Sequence, residues 1–163
     1  MAKIEIQKNK GFVILFAMMI SSIILMIALG VINIATKEIK FSSGAKDTND
    51  AFFAADTGAE CALEYDRSDN NAFTDSSSVP MNCAGSNVTL SATSPEWNFV
   101  VSGTSFIEKW CAKVKVKKTF DTSDPPAVLL TEITSKGYNS GGPTCDQTSG
   151  NNVERELYLS YGP

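Results

Sequence analysis

The sequence predicts an α+β protein in which a long N-terminal helix, hydrophobic at first and amphipathic later, packs on a small antiparallel β-sheet head. Three observations support this prediction. Residues 12–35 contain no charged side chain. A helical spacing of apolar residues then continues to about residue 65. Beyond it, three segments with the alternation typical of strands lie between residues 110 and 161.

Composition limits the number of domains and the classes of function. A chain of 163 residues has room for one domain and an anchor. A formal net charge of −4 offers no basic face for nucleic acid. The absence of histidine removes the commonest general base and zinc ligand, and with them every serine–histidine or cysteine–histidine pair. We therefore predict no catalytic residue, cofactor, metal or nucleic-acid partner, and an anchored enzyme is the least favoured hypothesis.

The first predicted element is the uncharged run from Phe12 to Ala35. As a helix it would extend about 36 Å, enough to cross the hydrocarbon core of a bilayer. Its apolar residues lie all around the helix, so lipid or a helical bundle is expected on every side. Lys3, Lys8 and Lys10 precede the run and orient the N-terminus towards the cytoplasm. The run is longer than the core of a cleaved secretory signal, whereas an uncleaved signal anchor stays open.

The helical pattern continues from Thr36 to about Tyr65 without proline. A plain anchor would not need this continuation. Gly44 and Gly58 are expected weak points, each costing about 1 kcal/mol relative to alanine. The predicted buried face consists of residues at three- and four-residue steps, namely Ile39, Phe41, Ala45, Thr48, Phe52, Ala55, Ala59, Ala62 and Leu63.

The head begins with a polar segment after Tyr65 and continues with strands. A short strand is predicted at 86–94, and residues 97–101 form either another strand or a cover for the sheet. The three strongest predictions are strands at 110–120, 127–138 and 153–161. Three antiparallel strands with one apolar face are expected to pack on the amphipathic half of the helix. On the last strand that face carries Val153, Arg155, Leu157, Leu159 and Tyr161.

Four cysteines lie tens of residues apart, at Cys61, Cys83, Cys111 and Cys145. Without a C-x-x-C pair they do not resemble zinc ligands, and an even number in an exported chain favours two disulfides over four reduced thiols. Three pairings are possible. Cys61 can tie the helix end to the loop that holds Cys83. Cys111 opens one strand and Cys145 follows the next, so both lie at one edge of an antiparallel hairpin. We predict Cys61–Cys83 and Cys111–Cys145.

Two kinds of charged segment in the head have alternative interpretations. The lysines at Lys113, Lys115, Lys117 and Lys118 suggest either a ligand site or, more simply, the solvated face of an edge or outer strand. The acidic loops at 66–71 and 121–124 lack the spacing of a calcium-binding loop, so we predict no cation there.

The N-terminal residues resemble those of type IV pilins and pseudopilins. Lys8, Lys10 and Gly11, followed by Phe12 and the apolar helix, match the leader and cleavage site of that family. The resemblance implies that a prepilin peptidase cuts after Gly11 and that Phe12 is then methylated. The stretch AFFAADTGAECAL, residues 51–63, resembles the helix end of PilX-type minor pilins, although helix packing alone also explains its alanines. The head matches the family only in general plan.

Position 16 departs from the family pattern. Most pilins have glutamate at the fifth mature position, which Phe16 occupies here. In the family that carboxylate is thought to pair with the N-terminal amine of a neighbouring subunit, because a buried charge needs a partner. Its loss implies a minor subunit near a filament tip, as described for PilX-like proteins and the K-type pseudopilin. A major pilin that assembles by packing alone is the alternative.

The resemblance also implies an organisation of the chain. Residues 1–11 would be a leader, 12–35 a transmembrane and filament-core helix, 36–65 its amphipathic continuation and 66–163 an extracytoplasmic head. The protein would sit in the inner (cytoplasmic) membrane and later join a cell-surface filament. Its implied partners are the lipid bilayer, the prepilin peptidase, the inner-membrane assembly machinery and other pilin subunits. The second hypothesis is a signal-anchored adhesion protein that keeps residues 1–11 and forms no filament.

Overall fold

A computed structural model describes residues 10–68, 71–74, 80–103, 109–122, 126–146 and 152–162. Residues 1–9 of the predicted leader, with Lys3 and Lys8, lie outside the described residues, as do parts of both acidic loops. The chain divides into two compact units, Met1–Gly44 and Ala45–Pro163. One helix, α1 (Lys10–Arg67), contributes to both units. The domain boundaries at residues 35 and 65 stay predictions.

In the first unit, α1 exposes every side chain from Phe12 to Gly44. The helix is long and apolar enough to cross a membrane, judged by length and composition. Ser21 and Ser22 lie inside the apolar run. Their hydroxyls donate hydrogen bonds to the carbonyl oxygens of Ala17 and Met19, so neither polar group is left unsatisfied in an apolar environment.

In the second unit, the C-terminal part of α1 packs on an antiparallel sheet, which confirms the predicted α+β class. The sheet has five strands in chain order, each antiparallel to its neighbours. A separate two-stranded sheet precedes it. The small sheet consists of β1 (Met81–Cys83) and β2 (Ser86–Val88), and the large one of β3 (Ser91–Thr93), β4 (Glu96–Ser102), β5 (Cys111–Asp121), β6 (Val128–Tyr138) and β7 (Glu154–Tyr161).

Small residues allow the helix to approach the sheet closely. A Cβ atom added at Gly137 of β6 would lie 2.1 Å from the Ala51 carbonyl oxygen and 2.2 Å from the Ala55 nitrogen. Only glycine leaves room for the helix backbone at that position. A Cβ atom at Gly58 would lie 2.6 Å from Ser135 Oγ. The helix side of this contact is almost completely buried and consists of Ala51, Ala54, Ala55, Ala59 and Ala62.

The large core side chains come from the loop after α1 and from the strands. Phe73 makes an edge-to-face contact with Trp97, with ring centroids 6.2 Å apart, and stacks on Phe99 at 6.1 Å. Val114 and Ile133, from the inner faces of β5 and β6, are buried in the same cluster. The aromatic core therefore fills the part of the inner sheet face that lies beside the helix alanines.

The buried face of α1 differs from the predicted one. Ala55, Ala59 and Ala62 are buried as predicted, but Ala51 and Ala54 join them. The prediction was wrong for four of the other residues, which are exposed, whereas Leu63 is half-buried and packs on the core. Next to Gly137 the close contact accepts only small side chains. The exposed members of the predicted face are Ile39, Phe41, Ala45 and Phe52, while Thr48 is half-buried.

The strands agree with prediction best where they are longest. β5, β6 and β7 correspond to the three strongest predictions, and residues 97–101 fall within β4. The predicted strand at 86–94 is two strands, because β2 pairs with β1 whereas β3 pairs with β4. The lysine-bearing strand β5 lies at the centre of the sheet, so its assignment to an edge or outer strand was wrong.

Candidate functional site

The apolar surface of the first unit is the most extensive candidate for function. Phe12 is 77% exposed and Phe16 is 56% exposed. Gly11 and Phe12, the predicted cleavage site, lie in the first turn of α1. No acidic residue occurs in that turn. An uncharged helix that is apolar on all sides is typical of one that faces lipid or other helices.

Two disulfides stabilise the second unit, and they join the pairs that the sequence favoured. Cys61 of α1 is bonded to Cys83 of β1, with Cα atoms 5.8 Å apart. Cys111, the first residue of β5, is bonded to Cys145 in the loop after β6, at a Cα distance of 5.6 Å. Both distances lie within the usual range for a disulfide. One disulfide therefore fixes the helix end to β1, and the other fixes the start of β5 to the loop after β6.

Asp66 fastens the end of α1 to the sheet by an ion pair and hydrogen bonds. Lys118 Nζ lies 2.6 Å from Asp66 Oδ1, and the Tyr161 hydroxyl donates to Asp66 Oδ2 at 2.6 Å. The Asn71 amide donates to the Asp66 backbone oxygen at 2.7 Å. This Asp66 cluster links the helix end with β5, β7 and the loop that contains Phe73.

The environment of the Asp66 cluster shifts two pKa values in opposite directions. Burial alone would raise the pKa of Asp66, but hydrogen bonds from Lys118 and Tyr161 and the positive charge of Lys118 outweigh it. The pKa of Asp66 is therefore below its ordinary value. Burial, and then the hydrogen bond to Asp66, raise the pKa of Tyr161. The carboxylate is thus ionised and the phenol neutral across the whole physiological range.

Lys118 corrects the predicted lysine stripe. Its ammonium group turns towards α1, whereas Lys113 and Lys115 lie on the opposite, outer face of the sheet. Two consecutive lysines on a strand must point to opposite faces, because side chains alternate along it. Sequence spacing gave no sign of the Asp66 cluster, since Lys118 and Tyr161 follow Asp66 by many residues. Asp66, predicted as part of an acidic loop, is instead held by Lys118.

The outer face of the sheet carries a ladder of surface ion pairs. Lys115 Nζ lies 2.8 Å from a Glu96 carboxylate oxygen. Lys136 Nζ lies 3.3 Å from Glu154 and 3.2 Å from Glu156. The hydrogen bonds that Lys136 donates to Glu156 and Glu154 raise the pKa of Lys136. Because these groups are exposed, each pair stabilises the fold little.

A groove of about 550 Å³ opens on this outer face. We call it the lysine groove, because Lys113, Lys115 and Lys136 are among its lining residues. Over the described part of the chain, no group of three or more acidic, cysteine or histidine residues is placed to hold a metal ion. The cationic groove and the apolar helix are therefore the two surfaces that suggest a partner.

Comparisons with protein-family models, with curated proteins and with solved structures find no match for this chain. The functional assignment therefore depends on the residues and geometry described above. Of these, α1 contains both an uncovered apolar surface and a face that fits closely against the head.

Proposed function

We propose that this protein is a minor subunit of a type IV pilus or pilus-like filament, held in the inner membrane by the first part of α1 before assembly. One observation carries the proposal. The charge-free residues 12–35 are exposed on all sides, and the same helix ends in the core of a disulfide-bonded head. An anchor alone requires the first feature and not the second.

The exposed apolar surface fits both environments that a pilin meets. In the membrane, lipid covers residues such as Ile24 and Leu25, which are 60% and 64% exposed. In a filament, neighbouring helices replace the lipid, and their association depends on close packing at small residues. Gly30 has no atom within 4 Å of the place where a Cβ would be. A second helix can therefore approach closely at that point.

Phe16 supports a minor rather than a major position in the filament. A carboxylate at this depth would require a cationic partner from a neighbouring subunit. The phenyl group of Phe16 needs no cationic partner, and it has no charge that could align this subunit with its neighbour. A subunit near the tip has no subunit above it to pair with, so the substitution costs least there.

Analysis of the mature N-terminus tests the proposal directly. Intact-mass and N-terminal peptide measurements on protein from its native membranes are expected to show a chain that begins at N-methylated Phe12. The variant Gly11→Val is expected to keep its leader, while Gly30→Val, matched in chemistry and inside the helix, is processed normally. A wild-type chain that still begins at Met1 or Ala2 contradicts the proposal.

A signal-anchored adhesion protein is the second candidate, and the lysine groove is the observation that favours it. Such a protein binds a ligand through its head and forms no filament. It keeps residues 1–11, so the N-terminal measurement separates the two candidates. Recovery of the chain in sheared cell-surface filaments would also exclude the second candidate.

A further inference from the structure

The lining of the lysine groove is cationic. Its lining residues include three lysines and no carboxylate. Lys115 and Lys136 pair with glutamates that lie outside this lining. For Lys113 no carboxylate lies at ion-pair distance within the described ranges, and its ammonium group lies 5.9 Å from the ring centroid of Tyr138. Glu154 attracts Lys113 electrostatically from beyond ion-pair distance. The Lys113 ammonium group can therefore still donate hydrogen bonds to a ligand.

The register of the sheet concentrates this charge. Lys113 of β5 lies directly opposite Lys136 of β6. Like charges at opposed positions on one sheet face destabilise the pair. Glu154 and Glu156 pair with Lys136, and Glu154 also attracts Lys113, so the repulsion is reduced in part. An anion bound between the two ammonium groups would remove the remaining repulsion and accept charge-assisted hydrogen bonds from both.

The neutral part of the lining adds hydrogen-bonding groups of a second type. Thr89, Ser91, Asn98 and Thr134 each offer both a donor and an acceptor, whereas lysine offers donors only. A bare inorganic anion would use only the donors. A ligand with hydroxyl groups as well as an anionic group would use the complete set. The volume of about 550 Å³ lies within the range of small-ligand sites.

From these features we infer that the lysine groove binds an acidic saccharide. The ligand carboxylate lies between Lys113 and Lys136, and its hydroxyl groups bond with the neutral lining residues. Glu96, Glu154 and Glu156 are held beside the groove by their ion pairs with lining lysines. Where a dense polyanion such as nucleic acid extends beyond the groove, these carboxylates repel it. The inference concerns the second unit alone and does not depend on filament assembly.

Titration calorimetry on the full-length chain in detergent micelles tests the inference with tri-galacturonate as the probe. The wild-type chain is expected to bind it, and its fully methyl-esterified form, which keeps the hydroxyl groups but loses the charge, is expected to bind at least about tenfold more weakly. Binding of tri-galacturonate is also expected to weaken as the salt concentration rises, because the groove is exposed.

Three lysine variants localise the effect. Lys113→Gln is expected to weaken binding about tenfold, since it removes a charge-assisted hydrogen bond. Lys113→Arg keeps the charge and is expected to stay within about threefold of wild type. Lys117→Gln is the matched control, because Lys117 lies on the same strand but outside the lining and pairs with Glu132. It is expected to change binding less than about twofold.

Several results would overturn the inference. Equal affinity for the acid and its ester would remove the role of charge. An equal loss of affinity in Lys113→Gln and Lys117→Gln would show that the ligand binds outside the groove. Tighter binding of poly-glutamate or duplex DNA than of tri-galacturonate would show that the groove prefers another class of polyanion. No heat of binding at about 10 mM tri-galacturonate would exclude a specific site. Unchanged tryptophan fluorescence in each variant shows that the head is folded.

Discussion

The two parts of α1 differ in burial, because the first exposes all its side chains from Phe12 to Gly44 and the second buries one face. In the first unit, large apolar residues such as Phe16 and Ile24 are exposed. In the second unit, the buried helix residues are mostly alanines, while Phe53 is 62% exposed. Burial along α1 is therefore decided by fit to the sheet rather than by hydrophobicity. The large apolar side chains of its first part stay exposed.

The same comparison separates two sources of stability. The first unit holds a helix that lipid can stabilise, because its backbone groups are satisfied within the helix. The second unit is fixed by a close helix–sheet contact, two disulfides and the Asp66 cluster. Changes to these three features should therefore destabilise the head and leave the first unit helical. Both tryptophans, Trp97 and Trp110, belong to the second unit, so their fluorescence reports on the head alone.

Removal of a disulfide should lower the stability of the head more than any other change and leave the first unit helical. The bonded cysteines are 22 and 34 residues apart, and loops of that size predict a loss of about 3 to 4 kcal/mol for each bond. The loss in unfolding free energy is measured by denaturant unfolding, followed by tryptophan fluorescence. The variants are Cys61→Ala/Cys83→Ala and Cys111→Ala/Cys145→Ala. Far-UV circular dichroism should still show the helix of the first unit. Complete loss of helix would mean that the two units unfold together.

Gly137→Ala should be the next most damaging change. The added methyl group would lie 2.1 Å from a backbone oxygen of α1, and neither backbone can move without separating helix and sheet. We expect a loss of about 3 kcal/mol in the unfolding free energy of the head. Gly44→Ala is the control, because nothing lies within 4 Å of its added methyl group. Equal unfolding midpoints for the two variants would contradict the close contact.

Asp66→Asn should destabilise the head by about 2 kcal/mol, because Lys118 then keeps a largely buried charge without a carboxylate. The matched control is Glu96→Gln, which breaks the exposed pair with Lys115 and is expected to cost less than about 0.5 kcal/mol. Denaturant unfolding measures both. A similar loss in the two variants would show that the Asp66 cluster behaves as an ordinary surface pair.

The stability of the head should also depend on pH through Asp66. Its folded-state pKa is lowered, so the unfolded chain binds the proton first as the pH falls. The stabilisation is complete above the ordinary carboxyl pKa of about 4 and is lost as the pH falls through the lower folded value. Unfolding midpoints measured from pH 6 down to about pH 2 should fall more steeply for wild type than for Asp66→Asn. If the unfolding midpoints of wild type and Asp66→Asn fall in parallel, other carboxylates cause the loss of stability in acid.

Sequence patterns predicted the features that depend on local periodicity. The alternation of Val114 and Val116 with lysines identified β5, and hairpin geometry favoured Cys111–Cys145. Features that depend on the fit between distant segments were missed. Phe52 was assigned to the buried face because it fits the hydrophobic periodicity. That periodicity contains no information on the contact with Gly137, which excludes large side chains. Lys118 was grouped with the outer lysines because its partner, Asp66, is adjacent only after the helix meets the sheet.

The smallest effect on the head, and the sharpest test of the comparison, should come from Gly30→Leu. The site is open, so the leucine fits a lipid environment and raises helix propensity. The unfolding free energy of the head should stay within about 0.5 kcal/mol of wild type. Close helix packing, however, requires a small residue there, so the variant should remain in the membrane fraction and be depleted from sheared filaments. The volume-conserving variant Leu29→Ile should be recovered in filaments. Equal recovery of both variants would mean that Gly30 faces no neighbouring helix, and that lipid alone covers this part of α1.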